Sequence, residues 1–523
     1  MSDPPDPTGK ERLGDLATEV DATLDELITR HAGERIWGGD HTLWQDDPTE
    51  VADRLGWLHV APEMRTQLAR LEGLAAELEA ESFTHLVVAG MGGSSLFPEV
   101  IARTFQASGP PPGGLELHVL DTTDPAAVAR TAGSCPPDRT MFVAASKSGS
   151  TIETRSHLAY FWENRGRPEQ FAAITDPGSD LGRVAYDRRF RAIFENRPDI
   201  GGRYSALSYF GLVPAALAGT DVAAILDTAI AMGAELADDR DDPRTNPGLR
   251  LGAIVAAAAR LGRDKLTLLI DPEIESFGLW IEQLVAESTG KQGTGVVPVV
   301  GEPVAADLTV YGPDRLFVSI GSHPALDAIA GAGHPVIELP HDGPASLGAH
   351  VLLWEFATAV CGAVLGINPF DQPDVAAAKA ATGRVLDSGE LPVVEQVRLS
   401  SLLDQVRVGD YIAIQAFTDP GAEVVAGVEA ARERLRDELK VATTTGLGPR
   451  FLHSTGQLHK GGPPTGVFVQ VVGDDPIDVP IPGQPYGFSM LKQAQAAGDL
   501  ETLRSRGLRA GRVAFDELLG VLT

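Results

Sequence analysis

The chain has 523 residues, 43% of them apolar and 22% charged. That is the balance of a globular protein with room for about three or four domains. Its 72 Asp and Glu outweigh its 43 Lys and Arg, for a net charge of −29, which disfavours non-specific binding to nucleic acid or to anionic membranes. Any anionic substrate must therefore be held by local donors working against the global field. The two cysteines, Cys135 and Cys361, exclude a disulfide framework and a Cys-rich zinc site, and they fit a reducing compartment.

The N-terminal stretch MSDPPDPTGKERLGDL has no apolar core of a secretory signal, so a cytoplasmic protein is expected. Its Pro- and Asp-rich front is expected to fray. Residues 1–80 read as a helical segment, with apolar residues at helical spacing in LATEVDATLDELITRHA and MRTQLARLEGLAAELEAES. From Thr84 the pattern changes. THLVVAG, LELHVLD, TMFVAAS, FAAITD and FRAIFEN are short apolar runs separated by helical segments. This alternation predicts a parallel sheet covered on both faces over 81–220. A second unit of the same kind is predicted over 221–389, with KLTLLID, GVVPVV, RLFVSIG and HPVIELP as its strands. The apolar stretch Val351–Ile367 contains Glu355 and is short for a bilayer, so it reads as a buried helix and no membrane span is expected. Residues 390–523 read as a smaller α+β region. The fold class is thus α/β, with two doubly wound parallel units in the middle.

Five motifs carry chemistry-bearing residues. Gly90-Met91-Gly92-Gly93-Ser94-Ser95 follows a predicted strand and opens a helix. Its glycines allow close backbone approach, and its hydroxyls and helix N–H groups suit a phosphate. Ser146-Lys147-Ser148-Gly149-Ser150-Thr151 offers a dense donor nest at another strand end. Both loops can face one crevice at the carboxyl ends of their strands. Gly201-Gly202-Arg203-Tyr204-Ser205 presents an arginine behind two glycines. Glu287 lies on the helical pattern near Trp280 and Leu284, at the edge of the apolar face, whereas Glu282 reads as outward. A carboxylate beside apolar surface is a general-base candidate. The fifth motif is Asn368-Pro369-Phe370-Asp371-Gln372-Pro373, followed by Lys379. The histidines do not show the i, i+4 arrangement with Glu of a helical zinc site.

Together these residues resemble the phosphoglucose isomerase family, whose members are built from two flavodoxin-like sugar-isomerase (SIS) domains. The resemblance runs in order from about residue 85 to Lys379. It implies interconversion of glucose 6-phosphate and fructose 6-phosphate through an enediol(ate), with neither metal nor other cofactor, and a homodimer. Gly93, Ser94, Ser146, Lys147, Ser148, Thr151 and Gln372 would hold the phosphate. Glu287 would move a proton between C1 and C2, Arg203 would stabilise the enediolate, and Lys379 would assist ring opening. The family also uses a ring-opening histidine from the partner subunit, in a segment that here reads GEPVAADLTVYGPDRLFV and lacks one. His341, His350, His453 and His459 are the candidates to replace it. Residues 448–462 are similar to the isomerase half of fused transaldolase–phosphoglucose isomerase proteins. An isomerase of another sugar phosphate such as mannose 6-phosphate, a non-catalytic SIS binding protein, and a dinucleotide-dependent enzyme using Asp121 are the alternative readings.

Overall fold

A computed structural model describes residues 10–237 and 242–520. The front expected to fray, residues 1–9, lies outside them. Strand β1 (Lys10–Arg12) pairs antiparallel with a strand more than 300 residues away, so the N-terminal segment is not purely helical. The remainder of that segment contains the expected helices, among them Ala17–Thr29 and Leu68–Ala80.

The apolar runs after Thr84 form β2 (His85–Ala89), β3 (Glu116–Leu120), β4 (Thr140–Ala145), β5 (Phe171–Thr175) and β6 (Ala192–Glu195). All are parallel, in the order β3-β2-β4-β5-β6. Consecutive residues Leu86, Val87 and Val88 are all buried, as expected for a sheet covered on both faces. The second sheet holds β7 (Lys265–Ile270), β8 (Val297–Val299), β9 (Arg315–Ile320) and β10 (Val336–Leu339). Its order is β1-β10-β9-β7-β8, parallel except for β1.

Residues 390–523, expected as an α+β region, instead build a third parallel sheet. Its strands are β11 (Tyr411–Phe417), β12 (Ala442–Leu447), β13 (Gly466–Val472) and β14 (Arg509–Arg512), in the order β12-β11-β13-β14. The reason is the connections. β11 and β12 are joined through the 18-residue helix Ala422–Leu439, and β13 and β14 through the 18-residue helix Phe488–Ser505. Crossovers of that length allow parallel pairing. Every residue of β11 is buried, so it is a central strand with two covered faces. All three layers therefore repeat one winding, in which the second strand lies outside the first and later strands add on the other side. Ligands in such sheets bind beyond the carboxyl ends, where the order reverses.

The helix Leu347–Leu365 sits in the core against Val222–Ala237, Pro247–Arg260 and Phe277–Thr289. It is apolar and long enough to cross a membrane, but 94% of its apolar window is buried inside the protein. Its Glu355 is 0% exposed, and neither carboxylate oxygen has a hydrogen-bond partner. Burial pushes this carboxyl well above its ordinary value. Above pH ~4.5 the unfolded chain releases that proton while the folded chain keeps it, so rising pH costs stability by up to about 1.4 kcal/mol per pH unit. Glu355→Gln removes this dependence at nearly constant shape. Urea unfolding at pH 5 and pH 8 is expected to show the variant gaining stability over the parent as pH rises; a constant difference would contradict it.

Candidate active site

The site is built from loops at the carboxyl ends of the first sheet. After β2 the chain turns through Gly90–Ser94, with Gly92 at φ +54°. A Cβ on Gly93 would lie 1.8 Å from the Gly202 carbonyl oxygen, and one on Gly92 would lie 2.6 Å from the His453 carbonyl oxygen. The loop after β2, the loop after β6 and the turn after β12 thus meet backbone to backbone, and only glycine permits it.

After β4, Ser146 Oγ lies 3.0 Å from Thr151 Oγ1 and accepts from Gly149 N at 3.1 Å. Ser148 and Ser150 hydroxyls are 2.7 Å apart. Helix Ile152–Arg165 starts directly behind them, so its unpaired N–H groups add to the same donor field. Lys147 donates to the Asp176 carboxylate and to the Pro198 carbonyl. It lines the cleft as an already partnered cation.

After β6, Gly201–Arg203 delivers an arginine that is only 3% exposed. Arg203 Nε donates to Ser288 Oγ at 2.8 Å, and Nη2 donates to the carbonyls of Pro369 and Asp371 at 2.6 and 2.9 Å. Its Nη1 lies 3.4 Å from Glu287 Oε1. Glu287 ends the buried helix Phe277–Thr289, and its other oxygen accepts from Gln283 Nε2 at 3.0 Å. Gln283 Oε1 is buried without a protein partner. Glu282, read as outward, is partly buried toward the third layer beside Arg432, Glu429 and Arg450, and desolvation pushes its carboxyl up to about 7.

Buried Lys291 fixes the segment that receives Arg203. Its Nζ donates to the Asn368 and Asp371 carbonyls and to Asp371 Oδ1, all at 2.6–2.7 Å. Desolvation, then the Arg203 charge, lowers the Lys291 ammonium to about 7. Beyond this segment, Gln372 and Lys379 are exposed on the cleft wall.

These loops enclose a cleft of about 550 Å³, a size suited to a small ligand. All ten residues singled out from sequence line it: Gly93, Ser94, Ser146, Lys147, Ser148, Thr151, Arg203, Glu287, Gln372 and Lys379. The structure adds Glu153, Gln495 and Arg54. Of the four candidate histidines, His453 alone lines the cleft. His459 is buried among Tyr411, Phe451 and Phe468, and burial lowers it to about 3. His350 is buried in the core helix, and His341 pairs with Glu273 outside the cleft. Asp121, a ribose partner in the dinucleotide reading, is held bidentate by Arg450 at 2.8 and 2.9 Å. Among the described residues, His85–Glu116–His118 and Asp271–Glu273–His341 are grouped as metal ligands are, and neither group lines the cleft.

The loop contacts can be tested. Gly93→Ala forces a backbone clash that costs about 2 kcal/mol or more, whereas a Cβ on Gly202 meets open space. Thermal melting is expected to show a lower midpoint for Gly93→Ala and a parental one for Gly202→Ala.

The match to known proteins covers the same ground. The phosphoglucose isomerase family model fits residues 58–302. The glucose-6-phosphate isomerase of Rubrobacter xylanophilus is 29% identical over 70% of this chain and 95% of its own. That of Thermosynechococcus vestitus is 31% identical over 64% of this chain and 75% of its own. Among solved structures, a glucose-6-phosphate isomerase from Chlamydia trachomatis shares the fold at a TM-score of 0.59 and 20% identity, covering 71% of this chain and 87% of that one. A hypothetical protein from Thermus thermophilus does so at 0.58 and 24%, covering 72% and 99%. The phosphate-nest loops, Arg203 and Glu287 all fall inside the matched stretch, and this chain belongs to the phosphoglucose isomerase family.

Proposed function

We infer that the protein is a glucose-6-phosphate isomerase that interconverts D-glucose 6-phosphate and D-fructose 6-phosphate through an enediol(ate). The observation that carries the residue assignment is the buried Glu287 carboxylate beside Arg203, across one cleft from the hydroxyl nest. The nest of Ser146, Ser148 and Thr151, with Lys147 and the helix N-terminus behind it, holds the phosphate, and Gly93, Ser94 and Gln372 complete its walls. These are local donors that can hold an anion in a chain of net charge −29. Glu287 then removes the C2 proton of the open aldose and returns it to C1. Abstracting a carbon-bound proton needs a positioned carboxylate, and Glu287 has both oxygens fixed by Arg203 and Gln283. The guanidinium lies where enediolate charge develops, in a water-poor pocket where a fixed cation is most effective. Lys379 assists the opening of the sugar ring from the cleft wall.

A cytoplasmic homodimer is the setting we propose. Cys135 and Cys361 are both buried and not disulfide-linked, which supports a reducing compartment. The substrate is the small sugar phosphate alone, with no nucleic-acid or membrane partner.

Glu287→Gln keeps the size of the side chain but removes the base and the charge that faces Arg203. In an assay coupling glucose 6-phosphate formation to its dehydrogenase, kcat is expected to fall by roughly 10³-fold, in a variant that still unfolds cooperatively but at a lower temperature because buried Arg203 has lost its carboxylate. A folded variant within tenfold of the parent would remove Glu287 from the proton-transfer role.

A further inference from the structure

We propose that the third α/β layer supplies an acid–base pair, His453 held by Glu153, that opens the sugar ring in the cleft of its own chain. The proposal rests on the isomerase reading above. Its chemical ground is simple. Hexose phosphates are cyclic hemiacetals, and a proton can move between C1 and C2 only in the open chain. Opening needs a group that exchanges a proton with the ring oxygen, a task separate from the C1–C2 transfer assigned to Glu287 and one in which Lys379 only assists.

His453 meets the geometric requirements. It lines the same cleft as Glu287 and the hydroxyl nest. Its Nε2 lies 2.9 Å from Glu153 Oε1. Glu153 is 2% exposed, and Gln495 Nε2 donates to the same oxygen at 2.6 Å. Burial is the largest influence on Glu153 and opposes its charge, but the His453 charge and hydrogen bond, its own backbone N–H and the His157 charge together bring the carboxyl below its ordinary value. A carboxylate that accepts from Nε2–H fixes the tautomer and leaves Nδ1 as the proton-exchanging atom. The pair also sits at the junction of all three layers. Arg450, three residues before His453, is locked to Asp121 of the first layer, while Gln283 of the Glu287 helix donates to the His453 carbonyl at 2.9 Å. The phosphate nest ends two residues before Glu153. His453 and the nest therefore address one bound ligand.

The step balances. In the furanose form of fructose 6-phosphate, the C2–O5 bond breaks and its electron pair takes a proton on O5 from protonated His453. The O2–H electron pair closes the C2 carbonyl, the O2 proton passes to water, and water returns a proton to His453. Glu153 is a positioning residue that holds the imidazole.

The test compares two substrates, fructose 6-phosphate and its 5-deoxy analogue, which has no O5 and cannot form the furanose ring. The readout is incorporation of solvent deuterium at C1, followed by NMR. His453→Asn is expected to shift the ratio of kcat/KM for the two substrates by on the order of 10²-fold against fructose 6-phosphate. Glu153→Gln is expected to shift it in the same direction by less. If His453→Asn does not fold, His453→Gln and Glu153→Gln carry the same comparison. Equal losses on both substrates, or none on either, would overturn the ring-opening role. A parent inactive on both would overturn the isomerase reading itself. Co-expressed His453→Asn and Glu287→Gln chains are expected to show no activity beyond the two variants alone. Restored activity would place the histidine in another copy's cleft and overturn its action within one chain.

Discussion

Arg203 starts in the first layer and ends in the second, and the rest of the site depends on that crossing. A guanidinium has donors in a rigid fork, and here they are spent on Ser288, on two carbonyls of the 369–371 segment and on the approach to Glu287. A buried cation of this kind is tolerated only with its partners in place, because leaving it unpaired costs several kcal/mol. The position of the base, the course of the loop leading to Gln372 and the packing of the two layers are therefore one constraint. Lys291, buried beneath the same segment, reinforces it from the other side.

The third layer is joined to this core by apolar packing, with Phe488 and Leu491 in the first layer's core and Leu458 and Phe468 beside Val297 and Val299, and by polar contacts that fix its registration. Lys492 is fully buried between Asp124 and Asp475, Gln495 bonds Thr123 and Glu153, and Arg450 clasps Asp121. An apolar interface of the same size could slide; a set of buried charge pairs specifies one registration, since any shift strands a charge away from water. The outcome is a turn, Arg450–His453, held in place at the rim of a cleft whose other walls come mainly from residues 90 to 383. Carboxylates line the cleft too, among them Glu50, Glu153, Asp176 and Glu287. Helix N–H groups, hydroxyls and the cations Arg54, Lys147, Arg203 and Lys379 stand against them as the local donors.

Much of this was legible in the residues. Short runs such as THLVVAG and KLTLLID alternating with helical segments identified the first two sheets, and the Gly- and Ser-rich loops pointed to their carboxyl ends. Glu287 stands at the edge of an apolar helical face, but only the family resemblance gave it a role. Other features have no local signature. β1 pairs with residues 336–338, which no periodicity in KER announces. The tail was misread because its strands give the same short apolar runs in parallel and antiparallel sheets; only the long helical crossovers distinguish them. Glu153 and His453 are 300 residues apart, and neither alone differs from a solvated side chain. The Asp176 partner of Lys147 likewise has no signature in the residues around either one.

The most direct measurement is a crystal structure of the protein with a sugar-phosphate hydroxamate, whose planar oxygens mimic the enediolate. The account predicts the phosphate on the Ser146–Thr151 nest and the hydroxamate between Arg203 and Glu287. It also predicts His453 within hydrogen-bond reach of the same molecule, all from one chain. A phosphate bound elsewhere, or a hydroxamate turned away from Glu287, would contradict it.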